Sequence, residues 1–434
     1  MRVLLASGLL VGAYAVGLHT WIAAQLLSSY TGGMTFELVE GLSPNPALSA
    51  AGPYDERLGY RQLPETIERL EAHGFRVAKQ ANVSARFERV RRLGLFPLYT
   101  EKTQAGLRIV GHDGRVISPS LFPERVYPSF EMIPPLIVSS LLFLENRELL
   151  DDRDPHSNPA VEWDRLAAAV IHHAGGRFLG GDGRFGASTL ATQLEKVRHS
   201  PDGVTGSASE KVRQMGTATL RSYLQGPRTD LVRRQILTDY LNSLPVGAVP
   251  GYGEIIGVRD GMRAWFGLDP DSADIALRRI SPERVTDEAA RAYRAALALL
   301  LAQRRPTHYL LSQAGRESLN RLTDAHLRIL AADSVIPDQL AAAALKVDLA
   351  SRPHAPPGLP ISFVERKAIN SVRSHLLDLI GVSNLYQLDR FDLTVQASVD
   401  GGAQKAVTER IRDLGRREFV RSAGLTGERL LGEG

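Results

Sequence analysis

The 434-residue chain is 44% hydrophobic and 23% charged, with a formal net charge of +4. That is the composition of a folded protein with room for two or three domains. So mild a positive charge gives no argument for nucleic acid, and the absence of cysteine excludes disulfides, thiolate catalysis and Cys-ligated metals.

No Asp, Glu, Lys or Arg occurs from Val3 to Phe36. Val3 to Leu27 is mostly apolar, and about 20 apolar residues suffice to cross a bilayer as a helix. Arg2 precedes the run and the next Lys or Arg is Arg57. The positive-inside rule therefore puts the N-terminus in the cytoplasm and the rest of the chain outside. A cleaved signal peptide is the alternative, but its apolar core is usually only about 7–15 residues. Residues 1–30 are thus expected to form an uncleaved transmembrane anchor with a short cytoplasmic tail.

Residues 31–60 are rich in Gly, Pro and Ser and read as a stalk. Leu63, Ile67 and Leu70 fall at helical spacing and predict a helix from Gln62 to Gly74. Phe75 to Val83 alternates as a strand would, and Arg86 to Leu93 reads as a helix. Leu107–Val110 and Arg115–Ile117 predict a hairpin around His112-Asp113-Gly114. Residues 31–127 are therefore expected to form a small α+β module.

From Ser129 to about residue 350 the pattern is helical. The apolar run from Ile133 ends near Glu145 in a helix expected to reach Leu150. Further helices are predicted over Val161–Ala174, Ala208–Gln225, Leu231–Ser243, Glu288–Gln303 and Ser318–Ala331, and no long strand interrupts them. Between the first and second of these lies a glycine-rich loop, Gly181 to Gly186, running into a helix that starts at Ser188. Glycine permits sharp turns and close approach to a ligand, and a helix start presents free N–H groups to an anion. Thr189, Gln193 and Lys196 share one face of that helix; Leu190, Leu194 and Val197 share an apolar one. On the pattern alone this is either an anion site or a loop-to-helix junction with a solvated face. It is not a nucleotide P-loop, because Ala187 stands where that motif needs Lys. Nearly all the positive charge of the chain is arginine, yet two of its seven lysines, Lys196 and Lys211, lie in this neighbourhood. Lysine is a compact point charge where arginine is a planar fork.

Pro353 to Pro360 marks a boundary. Beyond it Leu393, Val395, Ala397 and Val399 alternate as a strand and Gln404 to Leu414 returns to helix, so residues 353–434 read as a linker and the start of an incomplete region.

Four segments, in order, resemble glycosyltransferase family 51, the peptidoglycan glycosyltransferase module of class A penicillin-binding proteins. Glu145-Asn146-Arg147-Glu148-Leu149 stands for Glu-Asp-x-x-Phe. Gly186-Ala187-Ser188-Thr189-Leu190-Ala191-Thr192-Gln193-Leu194-Glu195-Lys196-Val197 stands for Gly-(Gly/Ala)-Ser-Thr-(Ile/Leu)-Thr-Gln-Gln-x-x-Lys-Asn. Glu210-Lys211-Val212-Arg213-Gln214 stands for Arg-Lys-x-x-Glu. Ile236-Leu237-Thr238-Asp239-Tyr240-Leu241-Asn242 stands for Ile-Leu-Glu-x-Tyr-Leu-Asn, and Trp265-Phe266-Gly267 for a Tyr-Phe-Gly element. Among the departures, Gln214 replaces the second family glutamate, Glu210 the Arg and Asn146 the Asp.

The resemblance implies a mainly α, lysozyme-like glycosyltransferase domain over 128–352, behind the anchor and the small α+β module, with 353–434 as a transpeptidase-like lead-in. It implies polymerisation of lipid II into glycan strands at the outer face of the cytoplasmic membrane. Glu145 would be the base that takes a proton from the attacking sugar hydroxyl, with Gln214 in the second catalytic position. Ser188, Thr189, Gln193, Lys196 and Lys211 would bind the departing pyrophosphate. No resident metal site is read from the sequence, although a divalent cation, Mg or Mn, is a candidate cofactor. The partners implied are lipid II, the nascent glycan, the membrane and other cell-wall synthesis proteins. No lysine has serine three residues before it, so the transpeptidase Ser-x-x-Lys nucleophile is absent. Two other readings stay open: a catalytically weakened scaffold that binds lipid II or glycan, motivated by Gln214, and a lysozyme-like lytic enzyme.

Overall fold

The computed structural model describes residues 19–46, 52–161, 188–281, 284–348, 353–354 and 363–425. Residues 3–18 of the expected anchor, all but the first residue of the expected Val161–Ala174 helix, and the glycine loop at 181–186 lie outside these. Among the described residues no helix is long and apolar enough to cross a membrane.

The expected elements mostly form, with shifted ends. In chain order they begin with α1 (residues 19–31), β1 (Phe36–Glu40), α2 (Pro53–Arg57), α3 (Leu63–Ala72), β2 (Lys79–Val83) and α4 (Ala85–Arg92). The hairpin β3 (Leu107–Val110) and β4 (Val116–Pro119) follows, then α5 (Pro135–Glu145), α6 (Leu190–His199), α7 (Ala208–Ser222) and α8 (Asp230–Ser243). A short hairpin, β5 (Pro245–Val249) and β6 (Gly253–Ile256), leads to α9 (Val258–Phe266) and α10 (Pro270–Arg278). After these come α11 (Asp287–Ala302), α12 (Pro306–Leu311), α13 (Gln313–Ala332) and α14 (Asp338–Leu345). The chain closes with α15 (Phe363–Ile380), α16 (Leu385–Leu388), β7 (Leu393–Gln396), α17 (Gly401–Leu414) and α18 (Arg417–Ser422). The molecule is mainly helical, and its sheets have two or three strands each.

The chain divides into two compact units. The first comprises Met1–Leu63, Phe75–Gln104 and Pro123–Pro356. Its centre is α11, whose N-terminus is capped by Thr286, with a side-chain oxygen accepting from the Ala289 amide at 3.2 Å. Ala and Leu occupy most of its length, and from Ala289 to Ala302 all but Arg291 are buried. With such small side chains, neighbours approach from every side, and α5, α9, α10, α12, α13 and α14 all touch it. Leu141, Leu190, Leu237 and Leu241, from α5, α6 and α8, join the same core. Burying each such side chain contributes roughly 1.5–3 kcal/mol. Trp265 on α9 is fully buried and donates its indole N–H to the Val246 carbonyl at 2.7 Å, fixing the β5–β6 hairpin.

The described residues of 31–60 do not form the stalk that their composition predicts. Thr31, 1% exposed, donates to the Tyr223 carbonyl at 2.7 Å, and Arg86 donates to the carbonyls of Ser29 and Tyr30. Leu27, Tyr30 and Met34 pack against a small core of Val83, Phe87, Val90, Leu98 and Leu220. β1 pairs antiparallel with β2, Phe36 opposite Val83.

The second unit comprises Pro64–Gly74, Ala105–Phe122 and Pro357–Gly434. Its sheet has the order β4-β3-β7. β3 runs antiparallel to β4 and parallel to β7, with Leu107 opposite Leu393 and Ile109 opposite Val395. Leu107 and Ile109 pack with Ile369, Leu376, Ile380, Leu388 and Phe391. Gly106 has φ +129, and a Cβ there would lie 1.8 Å from the Ser120 carbonyl oxygen, so this turn into β3 requires glycine. Residues 31–127 therefore divide between the two units instead of standing as a module of their own.

Candidate active site

The apolar helix α5 begins at Pro135, where a missing N–H costs nothing, and ends at Glu145 because Asn146 leaves the helical path at φ −160. Ser140, on the same helix, is 2.6 Å from the Tyr293 hydroxyl of α11, which pins α5 against the central helix. Glu145 is thereby delivered to the edge of the core with its side chain 14% exposed. Its two carboxylate oxygens have separate partners. Gln193 of α6 donates to Oε2 at 3.2 Å, and Gln303, just beyond α11, donates to Oε1 at 3.2 Å. The Arg304 guanidinium is 3.6 Å from Oε1. Tyr240 of α8, 4% exposed, directs its hydroxyl at the carbonyl oxygens of both glutamines, 3.2 Å to that of Gln193. Burial, and then the Glu145 carboxylate, push that phenol well above its usual range. Tyr240 therefore remains a proton donor.

α6 starts two residues after Ser188, at Leu190. Thr189 is its N-cap, 1% exposed, accepting from the Thr192 amide at 3.3 Å. The Thr189 hydroxyl is thus engaged with its own helix, whereas Ser188 accepts from Lys211 Nζ at 2.5 Å. Leu190 and Leu194 enter the core, and Gln193 and Lys196, three residues apart, share one half-buried flank of the helix, as the spacing predicts. The Lys196 ammonium makes no hydrogen bond to another described residue. Burial lowers the pKa of Lys196 below the usual lysine value, against the pull of Glu145. Burial and then Lys196 lower that of Lys211. Two half-buried ammonium groups that repel each other beside a helix start are an arrangement that an anion would relieve.

Gln214 is fully buried on α7. Its amide nitrogen donates to Ser200 Oγ and Thr205 Oγ1, both at 2.9 Å, and Thr205 donates back to Oε1 at 3.2 Å. Ser200 in turn donates to Glu210 at 2.6 Å. Gln214 thus closes a network that runs through Ser200 to the Glu210 carboxylate at the C-terminal end of α6, and makes no hydrogen bond to Glu145, Lys196 or Lys211.

Among the described residues the one group with metal-ligand spacing is Glu101, Glu195 and His199, whose ligand atoms lie within 4.8 Å of one another. Arg221 already bridges the two glutamates, at 2.9 Å to Glu101 and 2.6 Å to Glu195. Arg198 also pairs with Glu101, and both His199 ring nitrogens face carboxylates, Asp55 at 3.1 Å and Glu101. The positive charge a metal would bring is supplied there by guanidinium and imidazolium groups.

The helices that carry Glu145, Lys196 and Lys211 belong to a transglycosylase domain: residues 114–322 match the model of that family. The family is glycosyltransferase family 51, as the four motifs implied. No curated protein matches the sequence. Tyr240, Gln303 and Arg304 escaped the sequence reading as site residues. Tyr240 lies within the fourth motif, and nothing local in the sequence marks Gln303 or Arg304. The fold brings them to Glu145 from α8 and from the end of α11.

Proposed function

We propose that the protein is a peptidoglycan glycosyltransferase that polymerises lipid II into glycan strands at the outer face of the cytoplasmic membrane. The observation that carries this reading is the pairing of a braced carboxylate, Glu145, with two mutually repelling lysines, Lys196 and Lys211, inside a transglycosylase domain. Glu145 takes the proton of the attacking sugar hydroxyl as that oxygen bonds to the donor sugar. The bond from that sugar to pyrophosphate breaks, and the pyrophosphate leaves with the electron pair. Lys196, Lys211 and Ser188 offer donors where that negative charge develops. Support for the membrane location is the uncharged run from Val3, the charge rule, and the exposure of Trp21, Ile22 and Leu26 on α1. Lipid II, the growing strand and other cell-wall synthesis proteins are the partners of this reading.

Polymerisation of purified lipid II by wild type and Glu145→Gln, side by side, tests it. Loss of the base is expected to lower the rate by about 10²–10⁴-fold. Equal rates would sink the assignment of Glu145.

One observation favours a second reading, a catalytically weakened protein that binds lipid II or glycan as a scaffold. A neutral, fully bonded Gln214 stands where the family has a carboxylate. Tight lipid II binding by wild type with no polymer under any divalent-cation condition would favour that reading over the first.

A further inference from the structure

We propose that Gln303 is a positioning residue, which, together with Tyr240 and Gln193, holds the Glu145 carboxylate in one orientation. The proposal rests on Glu145 being the base. The four side chains close a ring: each glutamine donates to a different oxygen of Glu145, and both glutamine carbonyls face the single hydroxyl of Tyr240. A carboxamide can be built in two ways, oxygen for nitrogen, but only one suits this ring. Turning either glutamine over would aim a carbonyl oxygen at a carboxylate. Tyr240 locks the choice from the other side, because a phenol that keeps its proton needs an acceptor, and the carbonyl ends supply it.

The frame behind the ring is rigid. Gln303 is the C-cap of α11, the most enclosed helix of the unit, and the Ser140–Tyr293 bond ties α5 to the same helix further back. Glu145 and Gln303 are therefore held by one pair of helices bonded at two levels. Each carboxylate oxygen has two lone-pair directions. One glutamine bond per oxygen fixes the plane of the group and leaves acceptor capacity for a sugar hydroxyl. Misplacing a catalytic group by about 1 Å can cost 10²-fold in rate, which is the scale of effect such a brace controls.

The charged and titratable groups facing Glu145 among the described residues are Arg304, Lys196 and Tyr240. All three persist when Gln303 is removed. In Gln303→Leu, kcat for lipid II polymerisation is expected to fall about 10–100-fold with KM changed by less than about threefold. Tyr240→Phe keeps the packing and removes the lock. Its loss and that of Gln303→Leu are expected to combine less than additively in the double variant, because both act on one ring. A crystal structure of Gln303→Leu without substrate separates this idea from the activity reading. A rotated or disordered Glu145 carboxylate supports the brace even if wild type makes no polymer. An unmoved carboxylate, or an unchanged kcat in an active enzyme, overturns it.

Discussion

Replacing a carboxylate by a carboxamide exchanges a pure acceptor for a group with two donors and one acceptor. At position 214 both donors are in use, one on Ser200 and one on Thr205. A carboxylate there would lose both bonds and would face Glu210 across the shared Ser200 hydroxyl. Gln214→Glu is therefore expected to destabilise the protein by about 1–3 kcal/mol, measured as a lower urea midpoint, and to bring no gain in polymerisation. A large gain at unchanged stability would mean that the family glutamate is missed here. The rest of the site was legible to different degrees. Helical spacing alone put Gln193 and Lys196 on one face, and the end of an apolar run marked Glu145. The Thr189 hydroxyl was assigned to a ligand but caps its own helix, because a Ser-Thr pair does not reveal which member starts the turn. Gln303 had no local signature at all, since its meaning comes from contact with a residue 158 positions away.

At the scale of elements, α6 has two differently built ends. Its start, with Ser188, Gln193 and Lys196, faces the site. Its finish is anchored in an ionic cluster with α2 and α7. There Gly52 comes so near that a Cβ would lie 2.4 Å from the His199 Cα, and Asp55 is fully buried against the His199 ring. Desolvation disfavours the charged imidazole, yet Glu101 and Asp55 outweigh it and raise the pKa of His199 to about 9. Glu101 is held well below the usual carboxylate range despite its burial, by Arg221, Arg198 and His199. The sign follows from linkage. A group with a raised folded-state pKa contributes its full stability below its unfolded value, near 6.5, and loses that contribution as pH rises through about 9. The shift corresponds to roughly 3 kcal/mol. Urea midpoints are expected to fall between pH 7 and pH 9.5 in wild type and to lack that component in His199→Gln. A parallel decline in both proteins would refute the assignment.

At the scale of the whole molecule, helices were the legible part. α4, α8, α11 and α17 lie where periodicity placed them, to within a few residues; α4 buries Phe87 and Val90, and α8 buries Ile236, Leu237, Tyr240 and Leu241, stripes that their own sequences encode. α9, α10, α12 and α14 were passed over; they are short and follow Gly, Pro or polar caps that read equally well as turns. The organisation into units was not legible, since no local pattern tells a segment which distant strand it will join. β3 is the example. Its burial depends on Ile369, Leu376 and Ile380 from α15 and on pairing with β7. A chain ending at Asp392 is therefore expected to lose the fold of the second unit, seen as rapid proteolysis within residues 105–122. Protection of that segment equal to wild type would argue against the role given to β7.

The parallel pairing of β3 with β7 also has a consequence in time. Strand partners that are adjacent in sequence can meet as soon as they are made, as β3 and β4 do. β7 is synthesised only after the entire helical unit has been read. At 5–20 residues per second that is a delay on the order of tens of seconds. Throughout it one side of β3 offers unpaired backbone groups to any passing strand. Residues 105–122 thus wait for the strand that completes their sheet, and how the nascent chain is kept solitary during that wait bears on how much of it reaches the folded state.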